Sequence, residues 1–123
     1  MGLSFYRCPV CGEMVLMVKK AKCTPCCCGK EMVELKAGAV DAALEKHVPA
    51  CSVSDGVLCV KVGSVEHPMA EEHYIEFIAV ERKDGFDLKY LKPGEKPEAQ
   101  FAAEGAVAAY AYCNLHGLWK ADL

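Results

Sequence analysis

The sequence predicts a mainly β protein: a small cysteine-rich module followed by an antiparallel β-sandwich of immunoglobulin-like arrangement. Three observations lead there. Six of the nine cysteines lie between Cys8 and Cys28, whereas the 95 residues after Cys28 carry only Cys51, Cys59 and Cys113. From Ser54 onward, short runs of β-branched and apolar residues alternate with turn signals, the pattern of several short strands. A chain of 123 residues, 53% of them hydrophobic, can build one ordinary core with a small appendage. The expected division is residues 1–36 for the appendage and 37–123 for the sandwich.

The stretch from Tyr6 to Leu35 offers only Met14 to Val18 as a strand. That is too little apolar material to fold unaided, so a bound metal is the expected source of its stability. Lys36 to Ala39 reads as the joint, and Val40 to Lys46 as a brief helix or an irregular loop. Asp55-Gly56 is a turn signal leading into Val57 to Val62, which is rich in β-branched residues. Tyr74 to Val80 is the next strand, and Lys83-Asp84-Gly85 the hairpin turn into Phe86 to Leu91. Lys92-Pro93-Gly94 breaks the chain. Val107 to Tyr112 is read as the last strand, although its alanines alone would equally permit helix.

Charge and hydropathy narrow the function. The net charge is −3 and the lysines are scattered among acids, so no basic stripe exists to follow phosphates and nucleic acid is not an expected partner. No run of about 18 apolar residues could span a bilayer, and Met1 to Arg7 lack the apolar stretch of a signal peptide. The expectation is a soluble cytoplasmic protein. An odd number of cysteines, clustered at metal-ligand spacing, favours reduced thiolates over disulfides.

Cys8-x2-Cys11 is a metal knuckle, in which two thiolates chelate one ion and Gly12 lets the backbone wrap toward them. The other two thiolates must come from Cys23, Cys26, Cys27 and Cys28. Cys23 with Cys26 would make an ordinary zinc ribbon, and Cys26 with Cys28 is a further register. Four thiolates accept zinc or a single iron, so spacing does not choose the metal. The segment resembles the desulforedoxin module, whose pattern is C-x2-C, fifteen residues, then C-C-G. That resemblance implies an Fe(Cys)4 site at Cys8, Cys11, Cys27 and Cys28, with Gly29 in its proper place and Cys23 and Cys26 spare. Zinc can fill such a site in recombinant protein.

Each of the four histidines sits in a distinctive phrase: Glu45-Lys46-His47-Val48-Pro49, His67-Pro68-Met69, Glu72-His73-Tyr74-Ile75 and Cys113-Asn114-Leu115-His116-Gly117. One histidine alone is more often a surface or hydrogen-bonded core residue than a ligand. His67 and His73, however, flank a turn and can aim at one point, and Cys113 with His116 are spaced as a compact chelating pair.

These phrases, with Val40-Asp41-Ala42-Ala43, Lys61-Val62-Gly63-Ser64-Val65 and Leu118-Trp119-Lys120, resemble desulfoferrodoxin, the two-iron superoxide reductase, over nearly the whole chain. The resemblance implies a second iron, with His47, His67, His73 and His116 around its equator, the Cys113 thiolate axial and the sixth position open. It also implies that Lys46 attracts superoxide and that Glu45 can take the sixth position on ferric iron; the plainer reading of Glu45-Lys46 is a solvated charge pair. Ferrous iron with four neutral imidazoles and one thiolate carries a formal charge of about +1, which draws an anion even to an acidic protein. A rubredoxin-like electron donor and a homodimer are implied as well. The competing expectation is an iron electron-transfer protein without superoxide turnover.

Overall fold

The computed structural model describes residues 2–123. The chain divides into two compact units, Met1–Lys36 and Ala37–Leu123.

In the first unit, β1 (Phe5–Arg7) lies between β2 (Met14–Leu16) and β5 (Val33–Glu34), all antiparallel, and β3 (Cys26–Cys27) pairs with β4 (Lys30–Glu31) as a short hairpin. The core is small: Tyr6, Cys8 and Met32 are buried, with Val15, Met17 and Cys27 packed against them. The hairpin turn falls on Cys28 and Gly29, whose φ values of 53° and 73° are both left-handed. Gly29 suits this at no steric cost, and Cys28 is the residue that bears the strain.

The second unit opens with α1 (Leu44–His47), a single turn, and then builds two sheets. One has β7 (Val57–Val62) between β6 (Pro49–Ser54) and β10 (Glu98–Ala102). The other runs β12 (Gly117–Asp122), β11 (Ala106–Cys113), β8 (Ile75–Arg82), β9 (Gly85–Tyr90), and every pairing is antiparallel. Three strands face four, as the predicted sandwich requires. β7 alternates strictly, with Leu58, Val60 and Val62 fully buried and Val57 and Lys61 exposed. Leu58, Val60 and Val62 meet Ile78 and Val80 of β8 in the core. Each such side chain contributes about 1.5–3 kcal/mol by leaving water. Asp55 and Gly56, with φ of 50° and 76°, make the primed turn whose twist matches the flanking strands.

The structure adds strands that the pattern did not predict. β1, β3, β4, β5, β6 and β10 were not anticipated, and Val107–Tyr112 is not the last strand, because β12 follows it. β6, β10 and β12 each pair on one side only, so they need no continuous apolar run, and β6 is exposed over its last three residues. The alanines of β11 are strand, not helix. The strand pairs on both sides, and Ala109 and Ala111 give the core side the small surface it needs. Among the described residues, no helix is long and apolar enough to cross a membrane.

Candidate metal centres

In the first unit the sulfur atoms of Cys8, Cys11, Cys27 and Cys28 all lie within 4.8 Å of one another. Cys23 and Cys26 stay outside this group and are exposed. Cys11 Sγ is 3.6 Å from Cys27 Sγ, and Cys27 Sγ is 3.8 Å from Cys28 Sγ. Four sulfurs held tetrahedrally by bonds of about 2.3 Å stand about 3.8 Å apart, so the spacing fits one ion. The N–H groups of Cys11 and Val10 each lie 3.4 Å from Cys8 Sγ. That of Cys11 does most to hold the Cys8 thiol down to about 6, against the opposing effect of its burial. Cys27 and Cys28 are pushed up instead, Cys27 chiefly by its hydrogen bond with Cys8 and Cys28 chiefly by that with Cys11, because a thiol that shares its proton with a neighbouring sulfur gives it up less readily. A cation removes that conflict by taking all four as thiolates.

In the second unit, four imidazoles come from three separate places. His47 ends α1 and is buried; its Nδ1–H donates to the Ala43 carbonyl at 2.7 Å. His67 lies in the connection between β7 and β8, where its backbone N–H reaches the Val62 carbonyl at 2.9 Å and its Nδ1–H the Pro68 carbonyl at 2.7 Å. A carbonyl can only accept, so in both rings the proton is on Nδ1 and the lone pair on Nε2. His73 pairs with Ala70 just before β8, and His116 lies in the turn between β11, which ends on Cys113, and β12.

These rings close a circle. His47 faces His67 at 4.7 Å between centroids, His67 faces His73 at 4.8 Å, His73 faces His116 at 5.0 Å, and His116 faces His47 at 4.9 Å. Neighbouring planes are inclined by 77° to 90°, so the rings stand as the blades of a propeller, with His47 opposite His73 and His67 opposite His116. His47 Nε2 lies 3.2 Å from His67 Nε2 and 3.1 Å from His116 Nδ1. Two nitrogens bound at right angles by bonds of about 2.1 Å would be about 3.0 Å apart, which fits.

Cys113 Sγ is 3.9 Å from His116 Nδ1, and the donor atoms of His47, His73, Cys113 and His116 all lie within 4.8 Å of one another. His67 exceeds that limit to at least one of them and joins the group through its neighbours His47 and His73.

Electrostatics prepare the rings. Burial lowers the pKa of His47, His73 and His67, the last to about 4, so all three are neutral ligands at neutral pH. Buried His73 Nε2 has no hydrogen-bond partner among the described residues, an orphan that a cation at the ring's centre would satisfy. Burial pushes the Cys113 thiol up, partly opposed by the N–H groups of Leu115 and His116. A mixed imidazole and thiolate set suits a transition metal such as iron.

Glu45 and Lys46 are exposed on α1 beside His47. The pKa values of His47 and His73 are lowered chiefly by burial, and the Lys46 charge adds a smaller contribution in the same direction. Three residues that the motifs left without a role support the site. Trp119 lies against His47 at 4.9 Å and donates its indole N–H to the His116 carbonyl at 3.0 Å. Gly63 lies against the backbone of residues 45–48, and Asn114 bridges to residues 72 and 74. Trp119 could have been noticed as the one tryptophan, three residues after His116. Gly63 and Asn114 carried no comparable signal.

The Desulfoferrodoxin family model matches residues 39–122. A desulfoferrodoxin of Desulfarculus baarsii is 46% identical over 121 residues, covering 98% of this chain and 96% of the relative. The superoxide reductase of Treponema pallidum superposes with a TM-score of 0.82 at 37% identity, covering 99% of this chain and all of that one. The one-iron superoxide reductase of Giardia intestinalis matches 64% of this chain and 97% of its own length, with a TM-score of 0.55 and 34% identity. With the ring of imidazoles and Cys113 inside the matched region and relatives aligned almost end to end, this chain belongs to the desulfoferrodoxin family.

Proposed function

We propose that this chain is a superoxide reductase, converting superoxide, one electron and two protons into hydrogen peroxide. The observation that carries the reading is the closed ring of four imidazoles with the Cys113 sulfur beside it. In this reading His47, His67, His73, His116 and Cys113 hold the catalytic iron, and Cys8, Cys11, Cys27 and Cys28 hold a second. Bound iron supplies the one-electron couple.

The protein's own groups do the rest. The carbonyls of Ala43 and Pro68 fix the tautomers of His47 and His67, which leaves the Nε2 lone pair of each free to bind the ion. Burial of three rings keeps them from taking protons that would compete for those lone pairs. Lys46 is an exposed cation beside the ring; it raises the encounter rate with an anion and offers N–H donors to it. To the Glu45 carboxylate, on the same short helix, we assign on the family resemblance the sixth position of the ferric centre between turnovers. Each turnover consumes an electron, and on the family resemblance we assign its delivery to a rubredoxin-like protein, with a homodimeric chain working in the cytoplasm.

Stopped-flow mixing of the reduced, iron-loaded protein with superoxide tests this. Rapid oxidation with one peroxide formed per His/Cys centre is expected, and His116→Ala should slow it more than about 100-fold, since even supporting partners of ligands are worth 10–100-fold. A reduced centre that ignores superoxide would make the chain an electron carrier.

A further inference from the structure

His47 and His67 are each locked by a ring hydrogen bond to a carbonyl, but the buried Nε2 of His73 has no hydrogen-bond partner among the described residues. Its aim therefore depends on where its backbone is held. Asn114 holds it. The side-chain oxygen accepts from the Tyr74 N–H at 2.9 Å, the side-chain NH2 donates to the Glu72 carbonyl at 3.1 Å, and the Asn114 backbone N–H donates to the Tyr74 carbonyl at 3.2 Å. The amide thus brackets His73 from both sides. Asn114 also follows Cys113 directly, so the same bracket ties His73 to the strand end and turn that carry Cys113 and His116.

We infer that Asn114 is a positioning residue for the metal centre, acting through His73. The chemistry asks for an amide. One planar group must present an acceptor to an N–H and a donor to a carbonyl two residues apart. Aspartate would offer two acceptors and repel the Glu72 carbonyl, and alanine would offer nothing. The result is His73 standing 77° to His116 at 5.0 Å between centroids, with a buried Nε2 that has no hydrogen-bond partner among the described residues. The inference rests on the metal-centre reading but not on superoxide turnover.

The test uses the full chain, with cobalt(II) or ferrous iron titrated against a chelator of known affinity. Asn114→Ala and Asn114→Asp should each weaken metal binding at the His/Cys centre about 10–100-fold, as loss of a ligand's supporting partner does. The four-thiolate site, read in the same titration, should keep its affinity. Urea unfolding of the metal-free variants separates positioning from general support. A lowered midpoint with unchanged metal affinity would overturn the inference, as would affinities within twofold of the parent in both variants. A parent chain that binds no metal at this centre would remove the metal-centre reading itself, whereas a centre that binds iron without reducing superoxide would leave Asn114's part intact.

Discussion

His67 shows how far one residue's surroundings set its chemistry. It is 2% exposed, and burial brings its pKa from the ordinary 6.5 to about 4. Above pH 6.5 the ring is neutral in the folded and unfolded chain alike, so it adds no pH dependence. Between about 6.5 and about 4 the unfolded chain takes up a proton that the folded ring refuses, and stability must fall as pH falls. Urea midpoints of the metal-free protein should decline across that window, and His67→Gln should make the decline shallower; an identical slope would contradict the assignment. The residue types were legible from the chain because imidazole and thiolate are its strongest transition-metal donors. Which ring stands opposite which was not, since His47 and His116 are 69 positions apart and touch only after folding.

At the scale of elements, the site is made by loops seated on strand ends. Val62, the last residue of β7, leads into Gly63, where an added Cβ would lie 2.6 Å from the Glu45 carbonyl oxygen, 2.9 Å from that of Val48 and 3.0 Å from the Lys46 carbonyl carbon. The Glu45 carbonyl meanwhile accepts from the Val65 N–H at 2.8 Å and the Ser64 hydroxyl at 3.3 Å. The segment carrying Lys46 and His47 is therefore seated on backbone with no room to spare. Gly63→Ala should destabilise the second unit by about 1–3 kcal/mol, the usual cost of overpacking, measured by urea unfolding of the metal-free protein. A neutral result would mean that the loop yields freely. β7 and the Asp55-Gly56 turn could be read from the sequence because alternation and left-handed φ leave clear marks. β6 and β10 could not, since Ala50, Cys51, Ser52 and Ser54, or Glu98 and Gln100, become strand by pairing with β7 rather than by preference.

At the scale of the molecule, each unit has its own core, but the two cores differ in strength. The second unit buries a continuous set from Leu58 to Cys113, while the first has Tyr6, Cys8 and Met32. Metal binding must supply much of the first unit's order. Cys11→Ser should abolish metal binding there and speed amide exchange in residues 5–34, while the His/Cys centre keeps its metal. Metal content falling from two ions per chain to one, with the remaining site unaltered, is the expected measurement; loss of both would show that the centres depend on each other.

The chain's local chemistry was enough to establish a cysteine-bound module ahead of a β-sandwich and to pick out the metal donors, because ligand types, turn residues and strand alternation act over a few neighbouring positions. The choice of Cys27 and Cys28 over Cys23 and Cys26, which spacing left open and the family resemblance implied, agrees with the fold, whereas the cyclic order of the rings and the bracing by Gly63, Asn114 and Trp119 came from folding alone. Each is a contact between segments distant along the chain, brought to van der Waals or hydrogen-bond range only when strands pair and the two sheets pack.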